Sequence, residues 1–106
     1  MIFELREYRI KRGMRPAWVK LMDEVIIPFQ KKMGMVIIAS FIAQEEEDLY
    51  IWIRRFASKE ERKRQYNKVY GNDYWTNEIR NAMGDMLVKS KTRVTLMMAT
   101  PKSLIK

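Results

Sequence analysis

The 106-residue chain contains no cysteine and no histidine. Without cysteine there is no disulfide, thiolate nucleophile or thiolate metal site. Without histidine, the commonest metal ligand, the usual haem ligand and the default general base near neutral pH are missing. No cofactor is therefore expected. Long hydrophobic runs are absent as well. The stretch from Met33 to Ala43 is interrupted by Gly34 and Ser40, far short of the ~20 residues of a membrane span. The opening MIFELREYRI alternates in period two and carries an acid at Glu4, so it reads as a strand rather than a targeting peptide. A cytoplasmic protein with no membrane association is expected.

Acidic residues are outnumbered: 13 Asp and Glu against 21 Lys and Arg give a formal charge of +8. Such a charge suits nucleic acid, anionic surfaces or acidic substrates, or simply solubility. The bases are spread along the chain and are dense only from Arg54 to Lys68, which favours solvated faces. The Arg62–Lys63–Arg64 run beside Glu60 and Glu61 reads the same way. Hydrophobic residues make up 47 % and charged residues 32 % of the sequence, a globular balance in one domain spanning residues 1–106.

The pattern gives four strands and three helical segments, the last two forming one broken helical connection. Residues 2–10 alternate as a strand, and Gly13 turns the chain into a helix opened by Pro16. Trp18, Leu21, Met22, Val25 and Phe29 then recur on one helical face, with a kink or restart expected at Pro28 and an end at Gly34. Residues 35–43 and 49–56 are strands joined by the acidic tip Gln44–Asp48. Ser58 and Glu61 form a capping box for a second helix, broken at Gly71–Asp73. Asp73 caps a further helical segment carrying Trp75, Ile79, Met83, Met86 and Leu87, and residues 92–99 form the last strand before Pro101.

The order β-α-β-β-α-β is the ferredoxin-like α+β arrangement, a four-stranded antiparallel sheet with helices on one face. The second strand places Val36, Ile38 and Ile42 on one side and Met35, Ile37 and Phe41 on the other. The fourth opposes Val94, Leu96 and Met98 to Thr95, Met97 and Ala99. Half-solvated strands show a polar face, and these do not. An apolar patch of that extent on a monomer needs a cover, and a second copy of the chain is the economical one. A homodimer is expected.

On the first strand Glu4, Arg6 and Tyr8 share a face, and on the third Tyr50, Trp52, Arg54 and Phe56 do. Arginine forks recognise carboxylate or phosphate, and aromatic rings stack on flat ligands. The candidate ligand-binding set is therefore Arg6, Tyr8, Tyr50, Trp52 and Arg54, and a general base would have to be Glu4 or a perturbed tyrosine. The plainer alternative is a packed dimer core in which Arg6 or Arg54 pairs with Glu4, and Tyr8 or Tyr50 donates a hydrogen bond. Trp18 and Trp75 read as core anchors. An RNA-binding reading is disfavoured, because the RNA-recognition third strand carries glycines that LYIWIRRF lacks.

ELREY at residues 4–8, the Trp18–Leu21 helix with IIPFQ at 26–30, YIWIRRFASKEERKRQY at 50–66, and the Tyr70 and Trp75 pair resemble the NIPSNAP family over essentially the whole chain. The resemblance implies the dimeric α/β-barrel superfamily, which includes cofactor-free monooxygenases and polyketide cyclases. It implies no particular reaction. The function expected is the binding or transformation of a small aromatic or anionic metabolite in a sheet–helix cavity, with a monooxygenase- or cyclase-like activity if it is an enzyme. The alternative is a non-catalytic homodimeric scaffold.

Overall fold

The computed structural model describes all 106 residues. The strands are β1 (Ile2–Arg9), β2 (Val36–Ile42), β3 (Leu49–Phe56) and β4 (Arg93–Met97), ordered β2-β3-β1-β4 with every pairing antiparallel. This is the ferredoxin-like sheet. Ile10 extends β1 by one bridge to Leu87.

Three helical runs cover one face. The first begins at α1 (Arg15–Leu21), passes through a π turn at Met22–Ile26 and continues as α2 (Ile27–Lys32). The wide turn falls immediately before Pro28, where Ile27 N–H reaches back to the Met22 carbonyl. Pro28 has no N–H to give to Glu24, so the disturbance expected there takes the form of a π bulge rather than a break. The second run is α3 (Lys59–Tyr70), and the third is a π turn at Tyr74–Ile79 leading into α4 (Arg80–Met83).

Ser58 caps α3 as expected, its Oγ accepting from Glu61 N–H at 3.1 Å. The reciprocal half of the box is missing, because the Glu61 carboxylate turns to Arg64 instead. Ser58→Ala should therefore cost the single cap, about 1 kcal/mol, read as a lower denaturation midpoint. An unchanged midpoint would show that the cap contributes nothing. The third run departs from the sequence reading: Asp73 makes no cap, and Asn72 Oδ1 instead accepts from Tyr74 N–H at 2.8 Å.

β2 also departs. Ile37 lies opposite Arg54 but Ala39 lies opposite Ile53, so Ile38 is an extra residue in a β-bulge. The bulge reverses the alternation beyond it. Ile37, Ser40 and Ile42 share the helix side with Arg54, Trp52 and Tyr50, while Val36, Ala39 and Phe41 lie on the open side. Ile42 is thus on the face opposite to the one simple alternation assigns. At the other edge the helices stop short of β4. Val94 and Leu96, paired with Arg6 and Glu4 on the helix side, are each 44 % exposed.

The principal core lies between sheet and helices and contains Tyr8, Trp18, Met22, Ile26, Tyr50, Trp52, Ile79 and Leu87. The opposite face of the sheet carries no helix; its centre is apolar, and Glu7, Arg9, Arg55 and Arg93 share that face toward its ends. Val36 and Phe41 are exposed there, and Leu5, Ile51 and Ile53 are half-buried. Near Phe3 the C-terminal segment folds back over it, with Arg55 Nη1 donating to the Lys106 carbonyl at 2.8 Å. No helix is long and apolar enough to cross a membrane.

Candidate functional site

The antiparallel register of β1 and β3 sets Glu4 opposite Arg54, Arg6 opposite Trp52 and Tyr8 opposite Tyr50. All six side chains rise toward the helices. Above them α3 presents Arg62, Tyr66 and Tyr70, which recur every four residues and so form one stripe.

Glu4 and Arg54 are both fully buried. Arg54 donates to Glu4 Oε1 through Nε at 2.9 Å and Nη2 at 2.5 Å. Its remaining N–H groups reach Gln30 Oε1 at 2.9 Å and the Tyr70 and Tyr66 hydroxyls at 2.7 Å each. The guanidinium also lies 4.5 Å from the Trp52 ring centroid. Arg62 forks onto Glu4 Oε2 at 2.9 and 2.6 Å, and the Tyr66 hydroxyl donates to the same oxygen. Every acceptor site of the carboxylate is thus filled. Burial alone would raise the Glu4 pKa, but the Arg54 charge and the hydrogen bonds from Tyr66, Arg62 and Arg54 outweigh it, and the net direction is down. For Arg54, burial works against the charge, while Tyr70, Tyr66 and Glu4 favour it and prevail.

This network corrects two sequence readings. Arg62 is not a solvated charge but the second cation on a buried carboxylate. Glu4 is no general base, because a carboxylate saturated by cations is a poor proton acceptor. The tyrosines are no better placed: burial pushes Tyr66 and Tyr50 up to about 12 and raises Tyr8 as well. Of the plainer alternative the structure shows the pairing of Arg54 with Glu4, made within one chain between sheet and helices.

Beside the network, between sheet and helices, lies a cavity of about 250 Å³. Arg6, Tyr8, Trp18, Trp52, Tyr66, Tyr70 and Trp75 form its polar and aromatic wall, and Lys89 and Thr92 stand at its edge near the start of β4. Of the five sequence candidates, Arg6, Tyr8 and Trp52 line this cavity. Tyr50 and Arg54 sit behind the wall. Tyr50 stacks on Tyr8 with ring centroids 6.1 Å apart and shares a 2.7 Å hydrogen bond with Ser40. Tyr8 accepts from Arg6 Nε at 2.8 Å and Trp52 Nε1 at 3.0 Å. Trp18, 1 % exposed, packs edge-on against Tyr8 at 5.7 Å, and its indole N–H has no acceptor in the protein. No group of three or more acidic side chains gathers in a way that could hold a metal ion.

Sequence reasoning missed Arg62, Tyr66, Tyr70 and the cavity role of Trp18. The four-residue spacing of Arg62, Tyr66 and Tyr70 was visible, but an aromatic-basic stripe is easily taken for a solvated face. The third-strand aromatics Tyr50, Trp52 and Phe56 are 1–2 % exposed beneath the helices, so they form no platform on which RNA bases could stack.

The NIPSNAP family model matches residues 3–102 of the chain. No curated protein matches it. Among solved structures, a NIPSNAP family protein of unknown function from Agrobacterium tumefaciens superposes with a TM-score of 0.90 at 20 % identity, over 100 % of this chain and 94 % of that one. A second NIPSNAP family protein from the same bacterium gives 0.88 at 22 % identity, over 99 % and 98 % of the two chains. An antibiotic biosynthesis monooxygenase gives 0.68 at 14 % identity, over 95 % and 100 %. At these identities the structural likeness speaks for the fold alone. The family model spans nearly the whole sequence, and the chain belongs to the NIPSNAP family.

Proposed function

We propose that this domain is a homodimeric small-molecule-binding protein whose ligand, a small flat aromatic or anionic metabolite, lies in the sheet–helix cavity without a cofactor. The observation that carries this reading is the wall itself. A buried indole N–H without an acceptor, an arginine and a tyrosine meet four further aromatic residues around one space. Apolar walls with a few convergent polar groups are the usual form of a small-molecule site. The volume of about 250 Å³ lies just below the ~300 Å³ at which drug-sized sites begin, so a one- or two-ring ligand fits. In this reading Arg6, Tyr8 and Trp52 touch the ligand, and Tyr50 and Arg54 hold those three in place. Fold likeness to an antibiotic biosynthesis monooxygenase is in keeping with small-molecule binding. The saturated Glu4 and the raised tyrosines favour binding over proton abstraction.

A thermal-shift series with aromatic carboxylates tests it. A ligand that binds only the folded state at a hundredfold excess over Kd stabilises by about 2.7 kcal/mol, an easily read rise in melting midpoint. Arg6→Leu should remove roughly 1.5–3 kcal/mol of that binding by deleting a charge-assisted hydrogen bond. If no aromatic acid shifts the midpoint up to millimolar concentration, the non-catalytic scaffold becomes the better reading.

A further inference from the structure

The cavity wall offers its hydrogen bonds in one direction. The Tyr8 oxygen already receives Arg6 Nε and Trp52 Nε1. A phenol oxygen so engaged has only its proton left to offer, and that proton meets no protein acceptor. Trp18 Nε1 can only donate, and it too is without an acceptor. Arg6 spends Nε on Tyr8 and Nη1 on Tyr66 at 3.2 Å, which leaves its other terminal nitrogen free. Glu4, the carboxylate beneath this wall, is closed off by Arg54, Arg62 and Tyr66. Trp52 Nε1 and the Tyr66 hydroxyl are already spent on Tyr8 and Glu4, so the donors of the cavity wall left without an acceptor are the Tyr8 O–H, Trp18 Nε1 and one Arg6 terminal nitrogen.

We propose that Tyr8 and Trp18 form a paired donor site for a ligand oxygen that carries no proton, namely a carboxylate, phenolate or conjugated carbonyl attached to a flat ring. This rests on the cavity-binding reading and sharpens it. Trp52, Tyr66, Tyr70 and Trp75 seat the ring. The oxygen satisfies the two stranded donors, and Arg6 and Lys89 favour it when it is charged. A ligand that presents a donor at the same place leaves buried N–H and O–H groups facing another donor, and buried donors without partners are costly. Specificity therefore follows hydrogen-bond polarity as well as shape.

Benzoate, acetophenone, ethylbenzene and benzylammonium separate the contributions, because acetophenone and ethylbenzene have nearly the same shape and differ in one carbonyl oxygen. Binding is followed by titration of the full chain and by proton–nitrogen spectra of the three tryptophan indoles, with Trp18→Phe assigning the Trp18 signal. Benzoate and acetophenone should each bind at least about tenfold tighter than ethylbenzene, the worth of one well-made hydrogen bond. Both should move the Trp18 indole proton downfield, and benzylammonium should bind weakest. Equal binding by the first three probes with the Trp18 signal unmoved would overturn the donor site and leave cavity binding standing. Preference for benzylammonium would overturn the donor site too. Binding by none of the four would overturn the cavity reading, and the donor site with it. The spectra of the unaltered protein decide the matter even if Trp18→Phe fails to fold.

Discussion

Glu4→Gln should destabilise the domain by about 3–5 kcal/mol, the cost of removing one partner from a buried ion pair. The substitution keeps the shape of the side chain and deletes only its charge. Arg54 is then fully buried with no counter-ion, and Arg62 and Arg6, at 2.6 and 3.8 Å from Glu4 Oε2, become like-charged neighbours with nothing between them. At roughly 4–8 °C per kcal/mol for a domain of this size, the melting midpoint falls by at least about 12 °C. The same carboxylate governs acid stability. Its unfolded value is the ordinary one, near 4.5, and its folded value is lower, so the unfolded chain takes up the proton first. The stabilisation is complete above about pH 4.5 and disappears as the pH falls through the folded value. In Glu4→Gln this contribution to the acid limb should be absent. Adding Arg54→Met to Glu4→Leu should restore part of the loss, because a buried pair replaced by apolar groups leaves no stranded charge. A Glu4→Gln protein within 1 kcal/mol of the parent would mean that Arg54 does not depend on Glu4 for its charge balance.

Phe41→Asp should turn the proposed homodimer into a monomer. Phe41 lies on the face of the sheet that carries no helix, 55 % exposed, opposite the half-buried Ile51 and on the same face as Ile53 and the exposed Val36. In the monomer the new carboxylate stays in contact with water and the fold is spared. In a sheet-to-sheet dimer it is buried without a partner, at a cost of several kcal/mol per copy. Light scattering should therefore give twice the 12.8 kDa chain mass for the parent and a single chain mass for the variant, with similar circular dichroism. A parent that is monodisperse as a monomer at micromolar concentration would remove the case for the dimer.

How far these features could be read from the sequence depended on whether a face carried a chemical mark. Strict period-two alternation in β1 and β3 placed Glu4, Arg6, Tyr8, Tyr50, Trp52 and Arg54 on one side, where they are found. β2 is apolar on both sides, so period two held no information about a bulge, and the reversal at Ile38 could not be seen. The Arg62–Lys63–Arg64 run looked uniform as a string of charges. Three-dimensional packing separates its members, sending Arg62 to Glu4 and Arg64 to Glu61. Asn72 took the capping role from Asp73 because a side-chain oxygen two residues back can close the same turn. The cavity was the least legible feature. It depends on Trp18 lying edge-on beside Tyr8 with its N–H unspent, and that is set by the angle between α1 and the sheet, which no local pattern records.

A crystal soaked with 2-iodobenzoate tests the central claim most directly, because the iodine marks its own position by anomalous scattering. Cavity binding predicts one strong peak per chain among Trp52, Tyr70 and Trp75, with the carboxylate turned toward Tyr8, Trp18 and Arg6. Iodine found only on the open face of the sheet or at surface lysines, with the cavity empty at full soak, would contradict it.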